Sequence, residues 1–212
     1  QLIAMPLSAL LLLEMLKVPP GEWIVQNAAN GAVGKALAML GQARGVNVLS
    51  LVRREAGVAE MQAQGIGNTV CTAADGWKAR VRELLGGKRA VAGIDSVGGA
   101  DSGVLAALLG EGGTLVAFGS MTGEPMQIPS GELIFKQLVV RGFWGIPAMK
   151  ALTPQDQRRL MGELLQRAAS GDLRLPVASV HALEDVAAAV RASETAGRAS
   201  QGKVLLRGGA AG

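Results

Sequence analysis

An apolar run, Trp23-Ile24-Val25-Gln26-Asn27, leads into Ala28-Ala29-Asn30-Gly31-Ala32-Val33-Gly34, after which the chain reads as a helix starting at Val33. Strand, glycine turn and helix N-terminus form the unit that opens a doubly wound α/β sheet. The unit brings backbone N–H groups and the positive end of a helix dipole to one point, which suits a pyrophosphate. A plain structural turn would need the glycines but not the flanking strand and helix. The pair Arg53-Arg54 ends the next apolar run, and Arg53 follows Gly31 by 22 positions. That is the separation expected for the residue at the tip of the second strand. An acid there would accept hydrogen bonds from a ribose 2′-OH, whereas two arginines attract a 2′-phosphate. Arginines after a strand can also serve solubility alone, but two in succession at this position predict NADP(H).

From residue 22 onward, strand-like runs alternate with helical patterns. The spacing predicts strands at Trp23–Asn27, Val46–Val52, Thr69–Cys71, Ala90–Asp95, Thr114–Phe118 and Leu138–Phe143. Several are apolar almost throughout, as strands are when both faces of a parallel sheet are covered. Helical faces recur between them, at Val33, Leu37 and Leu40 and again at Trp77, Val81, Leu84 and Leu85. Asp101 is expected to cap a helix over Ser102–Leu109, and Ser130 to cap the one after it. The fold class is therefore α/β, a Rossmann doubly wound six-stranded parallel sheet in order 3-2-1-4-5-6. After Phe143 the beat changes. Thr153-Pro154-Gln155-Asp156 opens a helix to about Ser170, with threonine as N-cap and proline at the first helical position. A strand at Leu175–Val180, a helix at Glu184–Thr195 and a strand at Lys203–Arg207 complete the pattern. Residues 1–150 are thus expected to form the nucleotide domain with helix 153–170 packed on it, 171–207 a remnant of a second domain, and 208–212 a disordered tail.

Composition narrows the function. At 212 residues the chain can bury roughly 70% of the surface its unfolded form exposes, so it needs no covalent staples. One cysteine, Cys71, excludes an internal disulfide and fits a reducing, cytoplasmic compartment. One histidine and one cysteine cannot build a nitrogen–sulfur zinc cluster, so no metal site is predicted. The net charge is +4, with scattered basic residues and no interleaved aromatics, which argues against a nucleic-acid surface. Leu2 to Val18 is apolar but short and interrupted by Pro6, so no membrane span is expected there. Its lack of a basic leader and of a small-residue cleavage site argues against a signal peptide. It reads as a buried helix, and a start at Gln1 inside it leads us to expect a longer parent chain.

Other site residues follow from the predicted topology. Asp95-Ser96-Val97-Gly98-Gly99 ends the fourth strand and Phe118-Gly119-Ser120-Met121 the fifth, on the same sheet edge as the glycine loop. Both should line the crevice near the nicotinamide half. No catalytic residue is visible. There is no tyrosine in the chain, so a Tyr-x-x-x-Lys proton-transfer pair is impossible. Ser120, in Gly-Ser-Met-Thr-Gly, is not a nucleophile elbow. His181 reads as a packed or surface histidine, and Cys71 as a core residue.

These residues resemble the medium-chain dehydrogenase/reductase superfamily, in the zinc-independent branch of 2-enoyl thioester reductases and quinone oxidoreductases. Met5-Pro6-Leu7-Ser8-Ala9 is similar to the branch's Asn-Pro-x-Thr-Ala entry to the cofactor domain, and Gln26–Gly34 to its Gln-Asn-x-x-Asn-Ser-x-Val-Gly loop. Gly142-Phe143-Trp144 is similar to the enoyl reductases' Gly-Phe-Trp, and Gly202-Lys203-Val204-Leu205-Leu206 to their C-terminal Gly-Lys-x-x-Leu. Met5 stands where the family has asparagine, and Arg54-Glu55 reverses its Asp-Arg.

The resemblance implies that Asn30, Gly31, Ala32, Val33, Gly34, Arg53, Arg54, Ser96, Val97, Phe118, Gly119, Ser120, Met121, Phe143, Trp144 and Lys203 bind NADP(H). It implies hydride transfer to an enoyl thioester, an enone or a quinone, with the proton donor on an N-terminal domain that these residues do not include. It also implies a homodimer through strand 138–143. The alternatives are a quinone oxidoreductase, a relative of the zinc-type alcohol dehydrogenases, or an NADPH-binding module without chemistry of its own.

Overall fold

The computed structural model describes residues 2–195 and 202–208. Gln1 and residues 209–212, most of the expected disordered tail, lie outside them. The chain divides into two compact units, Gln1–Leu173 and Arg174–Gly212.

In the first unit, helix α1 (Met5–Leu16) precedes an alternating series: β1 (Trp23–Gln26), α2 (Ala32–Ala43), β2 (Asn47–Val52), α3 (Glu55–Ala63), β3 (Thr69–Cys71), α4 (Trp77–Leu85), β4 (Ala90–Asp95), α5 (Asp101–Leu108), β5 (Leu109–Ala117), α6 (Ser130–Lys136) and β6 (Val139–Gly142). Helices α7 (Gly145–Lys150) and α8 (Pro154–Ser170) close it. The strands form one six-stranded sheet in the order β3-β2-β1-β4-β5-β6, parallel at every pairing. This is the doubly wound Rossmann sheet expected from the apolar beat.

Successive residues of a strand face opposite sides of a sheet, which divides the core in two. Val25, Leu49, Leu51 and Val70 pack with Val81 and Leu85 of α4 and Leu105 of α5. The intervening Val48 faces α2, where a Cβ on Gly41 would stand 2.6 Å from its side chain. Helix α1 packs on α2 and α8, and Leu10, Leu12 and Leu13 of α1 are almost fully buried. Each such leucine contributes about 1.5–3 kcal/mol. Arg44, just past α2, grips Glu14 of α1 at 2.7 Å and, through two nitrogens, Glu163 of α8. Thr153 caps α8 by accepting from the Asp156 N–H at 3.1 Å, with Pro154 opening the helix.

Several expected boundaries are corrected. Asn27 leaves β1 because its side chain is committed beyond the strand end. Val46 likewise precedes β2, and Leu138 and Phe143 flank β6. Strand β5 starts at Leu109, because Leu109 pairs with Ala90 ahead of a register shift, and it ends at Ala117. Asp101 is the first residue of α5 and makes no capping bond; Ala100 stands at the cap. Pro129, not Ser130, precedes α6, again without a side-chain cap.

The second unit is a β-α-β element: β7 (Val177–Ala182), a 3-10 turn at Leu183–Asp185, α9 (Val186–Thr195) and β8 (Lys203–Arg207). β7 and β8 pair in parallel, with α9 packed on both. β7 thus starts later than the expected Leu175. Among the described residues, no helix is long and apolar enough to cross a membrane.

Candidate nucleotide site

The sheet order places the loops after β1, β2 and β4 side by side at the carboxyl edge, where they enclose a crevice of about 360 Å³. Asn27, Asn30, Arg53, Arg54, Val97 and Met121 are among the residues that line it. The structure thus brings together the glycine loop, the arginine pair and the tip of the β4 loop.

Gly31 stands at the N-cap of α2, and Ala32, Val33 and Gly34 form its first turn. Gly34 has no alternative: a Cβ there would lie 2.4 Å from the Ala29 carbonyl oxygen. No side chain caps α2, so the N–H groups of its first turn remain available to an anion. Ala28, at the tip of the loop, holds φ +46°. A non-glycine residue in this region costs about 1–2 kcal/mol, and such strain concentrates at binding loops. Asn30 donates to Glu60 of α3, whose other carboxylate oxygen pairs with the buried Lys35 of α2. These contacts tie the glycine loop to the helix that follows the arginines.

Arg53 and Arg54 are exposed, and Arg54 takes the N-cap position of α3. Both guanidiniums therefore border the crevice with room to turn toward a phosphate. Asp101 also lines it. Burial and the nearby Asp95 raise the Asp101 carboxyl above the usual range, while Arg53 partly opposes the shift.

The crevice wall between β1 and β4 is fixed by a buried polar network. Asn27 Nδ2 donates to Asp95 Oδ1 at 2.8 Å, and Asn27 Oδ1 accepts from the Ser96 N–H at 2.7 Å. Asp95 also accepts from the N–H groups of Val97 and Gly98, and from the Ser102 hydroxyl at 2.5 Å. Burial pushes the Asp95 carboxyl up, but these four donors outweigh it and hold the group below the usual carboxylate range. Sequence reasoning placed Asp95 and Ser96 at the strand end but did not find this network. Its signal was two polar residues closing two apolar strands that the topology makes neighbours.

The β5 loop closes on the β4 loop. The Met121 and Thr122 N–H groups donate to the Ser96 and Val97 carbonyls, and a Cβ on Gly119 would stand 2.8 Å from the Ser96 oxygen. Ser120 is exposed on this loop. Phe118 stacks on Phe143, with ring centroids 5.8 Å apart, and Trp144 is 70% exposed. These aromatics lie beyond the lining of the crevice itself. Lys203 begins β8, in the second unit. His181 sits within β7 beside Ser179, and Cys71 is buried in β3. Among the described residues, no group of three or more His, Cys, Asp or Glu side chains gathers as a metal site.

A family model described as zinc-binding dehydrogenase matches residues 32–164. The mitochondrial enoyl-[acyl-carrier-protein] reductase of Eremothecium gossypii is 32% identical over 173 residues, covering 77% of this chain and 46% of that protein. The chain thus spans about half the length of the curated relatives it matches. A quinone oxidoreductase from Thermus thermophilus, solved also in complex with NADPH, is 29% identical with a TM-score of 0.76, covering 97% of this chain and 64% of that one. A quinone oxidoreductase from Pseudomonas syringae gives a TM-score of 0.73 at 27% identity, over 94% of this chain and 61% of that one.

Proposed function

This chain belongs to the zinc-binding dehydrogenase family, in the zinc-independent branch of the medium-chain dehydrogenase/reductases, and from that premise we propose that it is the NADP(H)-binding portion of a reductase of activated carbon–carbon double bonds. The observation that carries the reading is the shared crevice of the glycine loop and Arg53-Arg54. The residues fit the dinucleotide: uncapped N–H groups at the start of α2 would take its pyrophosphate, and the two guanidiniums on the crevice would pair with a 2′-phosphate. NADPH held there would supply a hydride for the β-carbon of an enoyl thioester or enone, or for a quinone.

The chain's own residues bind and orient. Asn30 through Gly34 would hold the phosphates, and Ser96, Val97, Gly119, Ser120 and Met121 would flank the nicotinamide half. Phe118, Phe143 and Trp144 would shield its reacting face from water. Among the described residues that line the crevice, Arg53, Arg54 and Asp101 carry charge, and the resemblance gives none of them a proton-donor role. We therefore assign the proton donor to the part of the relatives that this chain does not match. Residues 1–150, with helix 153–170, act as the cofactor domain, and 171–207 complete the domain that carries the donor. One histidine and one cysteine cannot supply a nitrogen–sulfur zinc set from these residues.

The edge strand β6 exposes Val139 and Val140, and we read it as the strand that pairs two copies into a homodimer. Cytoplasmic residence is our reading from the buried, unpaired Cys71; the curated relatives are mitochondrial enzymes.

Supplying the chain with NADPH together with a crotonyl thioester or a quinone tests the division of labour. We expect binding of NADPH without its oxidation. Turnover by these residues alone would overturn the assignment of the proton donor.

A further inference from the structure

Helix α5 separates the nucleotide crevice from a second concavity, an open groove of about 730 Å³ between α4, α5 and the segment 127–129. Val104 contributes to both walls. The floor of the groove is apolar, with Trp77, Val104, Leu108 and Ile128 all half-buried. Its rim carries Lys78, Arg82 and Arg89, all exposed, and among the described residues no acidic one lines it.

The cations are arranged rather than scattered. The Arg82 Nε donates to the Lys78 carbonyl at 3.2 Å, and an Arg89 terminal nitrogen donates to the Ala107 carbonyl at 2.9 Å. Lys78 Nζ lies 5.7 Å from the centre of the Trp77 ring. Among the described residues, the ion pairs engage none of the three, whereas neighbouring Arg80 is paired with Glu83 and Lys136 with Glu132. Surfaces ordinarily intersperse charges of both signs, so three unbalanced cations around an apolar floor match an anionic partner.

We propose that this groove docks an acidic amphipathic segment of a partner protein, with a leucine-sized side chain on the Trp77–Leu108 floor and carboxylates on Lys78, Arg82 and Arg89. A free phosphate group fits less well. The apolar floor offers a phosphate nothing. The proposal does not rest on the cofactor reading, because the groove shares no charged residue with the crevice.

The test uses the full chain and a short labelled helical peptide of Glu, Ala and Leu, read by fluorescence anisotropy. The parent chain should bind it, and binding should weaken as salt is raised. Lys78→Glu combined with Arg82→Glu should weaken it at least about tenfold. Should that variant fold poorly by circular dichroism, Lys78→Gln and Arg89→Gln report on the same rim and should each weaken binding severalfold. Saturating NADPH should leave the peptide affinity unchanged. No binding by the parent, equal binding by the variants, or equal binding of a peptide with Lys in place of Glu would overturn the proposal. So would displacement of the peptide by NADPH, which would place it at Arg53-Arg54, or by inorganic tripolyphosphate on a groove that binds phosphate alone.

Discussion

Asn27 and Asp95 meet at 2.8 Å where β1 and β4 end side by side. The amide gives its N–H to the carboxylate and takes the Ser96 N–H in return, so one side chain joins two strand ends and sets the β4 loop. Asn27→Ala leaves a buried carboxylate and a backbone N–H short of a partner. We expect a loss of about 1–3 kcal/mol in urea unfolding, together with weaker NADPH binding. Asn27→Asp should cost more, because it sets two carboxylates together in a buried site.

The Asp95 carboxyl is held below the usual range by four donors, and Glu14 is held low by Arg159 and Arg44 against the upward push of its burial. A carboxyl depressed in the folded state adds stability above its unfolded pKa, about 3.9 for Asp and 4.3 for Glu. That stability is lost as pH falls through the folded value. The melting temperature should therefore hold from neutral pH to about 5 and fall steeply below about 4. Asp95→Asn should flatten that fall, and Glu14→Gln should flatten it less, since the Glu14 pair is partly exposed.

Gly34→Ala and Gly31→Ala should differ sharply. The first drives a methyl to 2.4 Å from the Ala29 carbonyl oxygen, whereas the second brings one to 3.2 Å from that of Ala28. Gly34→Ala should shift the loop and weaken NADPH binding by more than about tenfold, a loss of over 1.4 kcal/mol. Gly31→Ala should cost severalfold at most. Calorimetric titration of both variants checks the contrast.

Asp101 places a carboxylate in the crevice within electrostatic reach of Arg53. Asp101→Asn removes its repulsion for a phosphate and its claim on the guanidinium. NADPH affinity should rise by about two- to fivefold, as a partly screened charge pair allows. An unchanged or weaker affinity would place the 2′-phosphate elsewhere.

The sheet was legible because its strands are runs of Val, Leu and Ile, and a run of that kind is hard to bury except between two layers of helices. The glycine loop was legible because close approach at Gly34 leaves glycine as the only choice. The cap of α8 was legible too, since Thr153 and Pro154 act locally. The misplaced caps show the limit. Asp101 is a good capping residue, but in α5 the Ser102 and Gly103 N–H groups go to the carbonyls of Gly99 and Ala100, while its carboxylate borders the crevice. The Asn27–Asp95–Ser102 network was illegible for a related reason: Asn27 is remote in sequence from Asp95 and Ser102 and meets them only once the strand order is known. Strand β5 was read too short because Gly110 and Gly112 interrupt its apolar pattern, although Leu109 already pairs with Ala90.

The central claim is that Arg53 and Arg54 select a 2′-phosphate. Titrating NADPH and NADH separately into the chain and into Arg53→Ala measures it directly. The account predicts that NADPH binds at least about tenfold tighter than NADH, and that Arg53→Ala removes most of that preference while leaving NADH affinity nearly unchanged. Equal affinities of the parent chain for the two cofactors would contradict it.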